Sequence, residues 1–350
     1  MRKILSVLAF VLLSLSPLLA QFEVHPQISG TTAQLRGISA VSGQIAWASG
    51  TQGTVLRTLD AGNHWENVSV PGAEKLDFRD VRAFDAGHAF VLSIGNGEQS
   101  KIYKTGDGGR SWKLQFTNPD PKAFYDCFAF WDRTHGIAMS DSVDGKFPLL
   151  ATSDGETWKP LTPKTLPAAL PNEGGFAASG TCVAVAGKHD AWFVTGGPAA
   201  RVFHSADRGS NWEVLSTPII SGAATQGIFS VAFTDPLHGV IAGGDYKEPK
   251  SADKNMAWTT DGGKTWTLAI QPPAGYRSAV ACIPSPVKGR TILVAAGTSG
   301  ADYSLNFGRT WSPIDDGDYN AVSFGGSFRG WAVGPKGRIV SLEWHSQFKD

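Results

Sequence analysis

Short apolar runs separated by polar turns recur along the whole chain. Three segments share an apolar strand, a turn with Asp and His, and a second apolar strand: VRAFDAGHAFVLS at 81–93, FAFWDRTHGIAMS at 128–140 and VAFTDPLHGVIAG at 231–243. Stretches with the 3.6-residue period of an amphipathic helix are hard to find. Apolar runs of this length, bounded by Gly, Asp and Pro, are typical of strands. The pattern therefore predicts an all-β domain of many short strands.

A tryptophan repeat divides this pattern into units of similar length. Six segments end in the same way: TLDAGNHW at 58–65, TGDGGRSW at 105–112, TSDGETW at 152–158, SADRGSNW at 205–212, TTDGGKTW at 259–266 and SLNFGRTW at 304–311. Their tryptophans are separated by 47, 46, 54, 54 and 45 residues. This period is typical of the four-stranded blades of a β-propeller.

The six segments have the form Ser/Thr-x-Asp-x-Gly-x-Ser/Thr-Trp, which resembles the Asp-box (BNR repeat) of sialidase-like propellers. A tight turn needs a carboxylate that accepts backbone N–H groups, a glycine free to take positive φ, and an aromatic anchor. A catalytic group is not expected six times at one structural position. We therefore predict a structural role for the box residues Asp60, Trp65, Asp107, Trp112, Asp154, Trp158, Asp207, Trp212, Asp261, Trp266, Asn306 and Trp311.

A seventh unit, residues 319–345, has three strand-like runs but no box. The segment FEVHPQISG at 22–30 is predicted to supply its fourth strand, which would close the ring and remove its free edges. We therefore predict a seven-bladed β-propeller of four-stranded antiparallel blades. His88, His135 and His238 share one turn position in this repeat, and because successive blades point in different directions, no metal site is expected there.

The N-terminus has the features of a secretory signal. Residues 1–20 begin with two basic residues, continue with an apolar run and end in Ala20. A transmembrane anchor is the alternative, but Ser14, Ser16 and Pro17 interrupt the run. We predict a cleaved signal peptide at 1–20 and a single propeller domain at 21–350, secreted or periplasmic, with no stable membrane insertion.

Charge and cysteine content add two expectations. Without the signal the chain would carry 29 basic and 31 acidic residues, which gives no support for nucleic acid as a partner. At most one disulfide can form among Cys127, Cys182 and Cys282, and because all three lie in apolar segments, unpaired buried thiols are expected.

A candidate ligand site follows from aligning the starts of the innermost strands. The segments RGISAV, RDVRAF, YDCFAF, IFSVAF, RSAVAC and YNAVSF place one column at Arg36, Arg79, Tyr125, Ile228, Arg277 and Tyr319. Arginines and tyrosines around a channel mouth suit a carboxylate or another planar anion. The alternative is that the arginines bond carbonyls or acidic residues of neighbouring blades.

Long loops supply a second indication. The turns at 140–147 and 243–255 and the connection at 160–175 are longer than their counterparts in other repeats. We expect them to raise a wall beside the channel, and ordinary solvated loops are the alternative. The wall would carry Asp141, Asp144, Lys146, Glu173, Asp245, Tyr246 and Lys247.

Over residues 22–345 the chain resembles the photosystem II stability/assembly-factor-like propellers. The resemblance rests on the boxes, the HG turns and units such as GWAVGPKGRIV at 330–340. It implies a non-catalytic binding or assembly role with an arginine patch on one face, for which Arg36, Arg79 and Arg277 are the matching residues. The expected partner is a protein segment or a small anionic ligand, bound by a monomer without cofactor or metal.

A sialidase-like glycoside hydrolase is the alternative from another class. Its chemistry would need a tyrosine nucleophile with an acidic partner, and the candidates are Tyr319, Tyr125, Glu173 and Asp126. Against it, the chain has no Arg-Ile-Pro segment like that of sialidases and few glutamates. An oxidoreductase is less favoured still, because no Gly-rich dinucleotide motif and no Cys-x-x-Cys-His motif occurs.

Overall fold

Seven four-stranded antiparallel sheets are present in the computed structural model, which describes residues 21–283, 291–326 and 328–345. The innermost strand of each sheet contacts the innermost strand of the next, and the last contacts the first. The sheets therefore form a closed ring around a channel, as the tryptophan repeat predicts. The predicted signal peptide at 1–20 lies outside the described residues, and among those residues no helix has the length and apolar character needed to cross a bilayer.

Each blade runs from an inner to an outer strand. Blades one to three comprise β2 Leu35–Ala40, β3 Ala46–Gly50, β4 Val55–Thr58 and β5 Glu66–Asn67; β6 Asp77–Ala83, β7 Ala89–Ile94, β8 Lys101–Thr105 and β9 Lys113–Thr117; and β10 Tyr125–Phe130, β11 Gly136–Ser140, β12 Leu149–Thr152 and β13 Lys159–Leu161. Blades four to six comprise β14 Val183–Ala186, β15 Asp190–Val194, β16 Arg201–Ser205 and β17 Glu213–Ser216; β18 Gln226–Phe233, β19 Gly239–Asp245, β20 Met256–Thr259 and β21 Thr267–Leu268; and β22 Ala279–Ile283, β23 Ile292–Gly297, β24 Gly300–Ser304 and β25 Ser312–Asp315. A short 3-10 helix, Gly97–Gln99, precedes β8.

Blade seven joins the two ends of the described chain. It consists of β26 Ala321–Phe324, β27 Arg329–Val333, β28 Ile339–His345 and, outermost, β1 Gln21–Gln27. Strand β1 pairs antiparallel with the whole of β28, and Phe22 packs on Trp344 with ring centroids 5.1 Å apart. The predicted closure of the ring by an N-terminal strand is confirmed.

The six turns that end in tryptophan share one hydrogen-bond scheme. In each, the Ser or Thr hydroxyl donates to Oδ1 of the Asp or Asn two residues later, at 2.7–3.1 Å. The same Oδ1 accepts the N–H of the residue before the tryptophan. The hydroxyl accepts the N–H of the box glycine, whose φ lies between +66° and +90°. This conformation requires glycine because a Cβ is disfavoured there.

Side-chain bridges cross every seam between neighbouring blades near the channel. In ring order they are Ala83 N–H to Ser39 Oγ, Phe128 N–H to Asp80 Oδ2, the Cys127–Cys182 disulfide, Thr181 Oγ1 with Ser230 Oγ, Val280 N–H to Ser230 Oγ, Ser278 Oγ–H to the Asn320 carbonyl, and Ala40 N–H to Ser323 Oγ. Because each bridge links residues distant in sequence, the seams hold neighbouring blades in one register.

The expectation of unpaired cysteines is wrong for two of the three. Cys127 and Cys182 form a disulfide between blades three and four, with Cα atoms 5.9 Å apart. Both side chains are fully buried. Cys282 is free. The cysteines do lie in apolar surroundings, as the sequence indicates. The disulfide could not be predicted because its two residues are 55 positions apart in sequence and become neighbours only when adjacent blades pack.

Candidate functional site

Four inner strands contain a bulge at the same level of the channel. The register shifts between Leu35 and Gly37, between Phe78 and Asp80, between Tyr125 and Cys127, and between Ile228 and Ser230. A bulge adds an unpaired residue and turns its side chain away from the regular alternation. The bulged residues are Arg36, Arg79, Asp126 and Phe229. Three of them, Arg36, Arg79 and Phe229, lie at the channel mouth, and Asp126 does not.

A cavity of about 460 Å³ opens at this end of the channel. We call it the channel-mouth cavity. The inner strands β2, β6 and β18 contribute Arg36, Arg79 and Phe229, and turns and connections between strands contribute the rest of the lining. Its lining residues are Gln34, Arg36, Arg79, Phe176, Ala177, Ala178, Phe229, Tyr246, Tyr276, Ser278, Thr298, Asp318, Asn320 and Pro335.

Two arginines give the cavity its positive side. Arg79 donates to Asp77 Oδ2 and to the Ala177 carbonyl, both at 2.9 Å. Arg36 forms no ion pair and no side-chain hydrogen bond with the part of the chain that the structure describes, and its Nε is buried. Burial, together with the positive charge of Arg79, lowers the pKa of Arg36, and the Asp77 and Asp318 carboxylates offset part of this shift from beyond ion-pair distance. A guanidinium stays protonated at neutral pH. An unpaired half-buried cation of this kind attracts an anion.

Four aromatic rings form another part of the cavity lining, which we call the aromatic shelf. Phe176 stacks on Phe229 with centroids 3.8 Å apart. Tyr276 meets Phe229 edge-on at 4.8 Å, and Tyr246 lies edge-on to Phe176 and Phe229 at 6.5 and 6.2 Å. Phe229 and Tyr276 are buried, so the accessible part of the shelf is the half-buried Phe176 and the exposed Tyr246. Accessible aromatic rings beside cations suit a ligand that is part apolar and part anionic.

Two buried carboxyl groups support the segment that carries Phe176. Asp141 Oδ1 accepts the N–H of Gly175 at 2.8 Å, and Asp126 lies so close that a Cβ on Gly175 would be 3.1 Å from its Oδ2. Burial raises the pKa of Asp126 well above its usual range, and the Asp141 carboxylate raises it further. Burial also raises the pKa of Asp141 to about 6. Neither carboxyl group lines the channel-mouth cavity.

The predicted column of Arg and Tyr side chains is offset by one residue in three blades. Arg36 and Arg79 line the cavity, whereas Arg277, Tyr319 and Tyr125 do not, and Tyr125 directly precedes the bulged residue of its strand. Arg277 is 1 % exposed and forms a buried ion pair with Asp302. Ser278 and Asn320 line the cavity in the place of Arg277 and Tyr319. The expectation that three arginines converge is therefore wrong.

Both tyrosines of the predicted column form contacts outside the channel-mouth cavity. Tyr319 is 1 % exposed and donates its hydroxyl to Asp315 Oδ2 at 2.5 Å. Burial and this hydrogen bond raise the pKa of Tyr319. Tyr125 packs edge-on against Phe116 between blades two and three, and burial raises its pKa to about 12. Neither side chain lines the channel-mouth cavity.

The long loops raise only part of the predicted wall. Tyr246 lines the cavity, with Lys247 Nζ 5.7 Å from its ring centroid. Asp245 accepts hydrogen bonds from the Gln226 side chain and the Lys247 backbone at its base. Asp144 and Lys146 instead line a separate groove of about 1090 Å³ beside blades two to four, where Asp144 pairs with Lys122 at 3.0 Å.

Glu173 anchors the connection between blades three and four. Its carboxylate pairs with Arg201 and accepts the Thr195 hydroxyl at 2.6 Å. The side chain is buried away from the cavity. The hydrolase candidates Tyr319, Tyr125, Glu173 and Asp126 thus have different partners in different blades, and no tyrosine–glutamate pair forms among them.

The turn histidines have local partners. His88, His135 and His238 each place Nδ1 within 3.0 Å of the Asp three residues earlier. Across the residues that the structure describes, no group of three His, Cys, Asp or Glu side chains is arranged to hold a metal ion.

The sequence pattern does not indicate three residues of the aromatic shelf: Phe176, Phe229 and Tyr276. Phe229 follows Ile228, which was aligned with the column, and Tyr276 precedes Arg277. An alignment that allowed for a bulge would have selected Phe229. Phe176 lies in a connection without a repeat counterpart, so no periodic pattern points to it.

The fold and the site together define a seven-bladed propeller with a charged and aromatic cavity at one end of its channel. No protein-family model and no curated protein matches the sequence. Among solved structures, the chain is similar to "YCF48 bound to D1 peptide", with 16 % identity, coverage of 93 % of this chain and 97 % of that chain, and a TM-score of 0.63. It is also similar to YCF48 from Cyanidioschyzon merolae, with 17 % identity, 93 % and 99 % coverage and a TM-score of 0.64. At this identity the similarity shows the fold, which agrees with the resemblance found in the sequence.

Proposed function

We propose that this protein is an exported, non-catalytic, monomeric binding propeller that captures an extended protein segment at the channel-mouth cavity. A carboxylate of the segment pairs with Arg36, and an apolar side chain of the segment packs on the aromatic shelf. The carboxylate is either the terminal one or that of an acidic side chain. The role is one of assembly or stabilisation of a partner protein.

One observation carries this proposal: Arg36 lacks an ion-pair partner in the described chain, although it lies half-buried beside a second arginine. Leaving a buried cation unpaired costs free energy that a bound carboxylate would recover. Arg79 is held by Asp77 and by the Ala177 carbonyl. Because of these contacts, a ligand would meet an arrangement that is already formed.

The neighbouring structures support a polypeptide as the ligand. One YCF48 structure is described as bound to D1 peptide, so a propeller of this fold accommodates a peptide. In the present chain, the cavity is open at one side and lined by both aromatic and charged groups. These features suit a segment with a mixed apolar and acidic composition.

A selection from a peptide library tests the proposal. Random peptides with free carboxyl termini would be selected for binding to the wild-type protein and counter-selected against the Arg36→Gln/Arg79→Gln variant. We expect recovered peptides to contain an acidic group near an aromatic or aliphatic residue. Synthetic copies should bind the wild-type protein, as measured by titration calorimetry, and lose about 1.5–3 kcal/mol of binding free energy for each lost charge-assisted hydrogen bond in the variant.

The matched control is Lys188→Gln/Lys264→Gln, which removes two exposed charges from turns at the opposite end of the blades. This variant should bind the selected peptides as the wild-type protein does. Peptides that bind all three proteins equally, or a library that yields none, would contradict the proposal.

A further inference from the structure

A second groove lies beside the channel-mouth cavity. It has a volume of about 890 Å³ and runs between the segment after β1 and the turn between β27 and β28. We call it the blade-seven groove. Its lining residues are 26–32, Asp318 and 335–340. Asp318 and Pro335 line both spaces, so the groove continues from the cavity across the top of blade seven.

The sequence builds the floor of this groove from a tight turn. Gly337 donates its N–H to the Ala33 carbonyl at 2.7 Å and has a φ of +70°. A Cβ at this position would lie 1.9 Å from the Thr31 carbonyl oxygen, so only glycine fits. The turn is therefore held against residues 31–33, and the two side chains that flank Gly337 project from a fixed backbone.

Those two side chains are cations. Lys336 and Arg338 are exposed, and neither forms an ion pair with any residue in the described part of the chain. The Arg338 guanidinium carbon lies 6.0 Å from the ring centroid of Tyr319, which limits the directions that its side chain takes. With Arg36 and Arg79, four cations thus follow a path that begins in the cavity and crosses Pro335.

Two further features of the groove bear on its occupant. Asp318 places one negative charge between the two pairs of cations. Ile28, at the groove's outer side, is 89 % exposed. A ligand that follows this path therefore meets cations, one anion, cations again and an apolar side chain.

We infer that the blade-seven groove is an extension of the binding site and takes an acidic stretch of the same extended polypeptide. This inference rests on the proposed function. Acidic side chains of the segment pair with Lys336 and Arg338, a neutral residue passes Asp318, and an apolar residue packs on Ile28. A single-stranded nucleic acid fits less well, because its backbone carries a charge at every nucleotide and one phosphate would face Asp318.

Three synthetic peptides test the extension by fluorescence anisotropy. The short probe is Gly-Phe-Gly-Asp, which spans the cavity alone. The acidic probe adds Leu-Glu-Gly-Glu-Gly-Gly before this sequence, and the neutral probe has Gln in place of each Glu. Because exposed ion pairs each contribute about 0.2–1 kcal/mol, we expect the acidic probe to bind roughly 2- to 30-fold more tightly than the neutral probe.

Variants separate the extension from the cavity. Lys336→Gln/Arg338→Gln should abolish the advantage of the acidic probe and leave the short probe unchanged. Arg36→Gln should weaken all three probes, and Lys188→Gln/Lys264→Gln should weaken none. Equal binding of the acidic and neutral probes to the wild-type protein, with the short probe still bound, would overturn the extension but not the proposed function.

Two other outcomes bear on the inference. If no probe binds, the proposed function fails, and the extension fails with it. If a ten-residue oligothymidylate binds more tightly than the acidic probe, and this binding is lost in Lys336→Gln/Arg338→Gln, the groove is a nucleic-acid site and the polypeptide assignment is wrong.

Discussion

Arg36 and Arg79 occupy the same bulged position on neighbouring inner strands, and they differ in what they contact. Arg79 is held by the Asp77 carboxylate and the Ala177 carbonyl. Arg36 has neither kind of partner in the described chain, and burial, together with the charge of Arg79, lowers its pKa. The fold therefore fixes one guanidinium and leaves its neighbour available, which is the arrangement expected of a site that receives an anion.

Because Arg277 has a buried ion-pair partner and Arg36 has none in the described chain, we expect their replacements to change the stability of the fold by very different amounts. Arg277→Ala leaves the buried Asp302 carboxylate unpaired, so it should lower the free energy of unfolding by about 3–5 kcal/mol. Arg36→Gln removes no ion pair and no side-chain hydrogen bond in the described chain and should change the free energy of unfolding by less than about 0.5 kcal/mol. Urea denaturation of both variants measures the difference. Similar losses in the two variants would mean that Arg36 is part of the scaffold.

Because of the disulfide, we expect the stability of the fold to depend on whether Cys127 and Cys182 are oxidised or reduced. Cys127 and Cys182 close a loop across a blade seam, and removing such a bond costs about 2–4 kcal/mol. Dithiothreitol should therefore lower the denaturation midpoint of the wild-type protein and of Cys282→Ala. The double variant Cys127→Ala/Cys182→Ala should start from the lower midpoint and show no response. A response to dithiothreitol in the double variant would contradict the assignment.

The carboxyl pair predicts a loss of stability as the pH rises. In the folded protein the pKa of Asp141 is about 6, above the value near 3.9 for an unfolded chain. Between about pH 4 and 6, the folded state keeps a proton that the unfolded state releases, so the free energy of unfolding falls with rising pH.

Asp141→Asn isolates this effect, because the amide still accepts the Gly175 N–H but does not titrate. Relative to this variant, the wild-type protein should lose on the order of 1–2 kcal/mol between pH 4 and 7. Urea unfolding of both proteins across this range supplies the measurement. A difference between the two that does not vary with pH would show that Asp141 has an ordinary pKa.

We expect the loss of unfolding free energy on replacing a box tryptophan to increase with the burial of its side chain. Trp311 is 2 % exposed and donates its Nε1–H to the Gly308 carbonyl at 3.0 Å. Trp311→Ala should cost about 3–5 kcal/mol of unfolding free energy. Trp65 is only partly buried, so Trp65→Ala should cost less, as compared from denaturant midpoints. The reverse order would contradict the burial on which the comparison depends.

The blade count could be predicted because its signals are local. The Asp or Asn, the glycine and the tryptophan of each box lie within one turn, and each turn recurs at the blade period. The pairing of β1 with β28 follows from counting strands, since a unit with three strands and no box needs a fourth. Local chemistry of this kind is present in the sequence whatever the tertiary structure.

The site was less predictable because it depends on one-residue shifts. The alignment places Arg277 with Arg36, but Arg36 is the bulged residue of β2 and lines the cavity, whereas in blade six Arg277 is buried and Ser278 lines the cavity. A shift of one residue moves a side chain to the other face of a strand. The disulfide and the position of Phe176 depend on how neighbouring blades pack. A repeat pattern in the sequence carries no information about this packing.

The central claim is that Arg36 binds a carboxylate of the partner segment, and a double-mutant cycle tests it most directly. A peptide selected by the wild-type protein would be titrated, with its carboxylate intact or converted to an amide, against the wild-type protein and Arg36→Gln. We predict a coupling energy of about 1.5–3 kcal/mol between the two changes. Additive losses, with no coupling, would contradict the account.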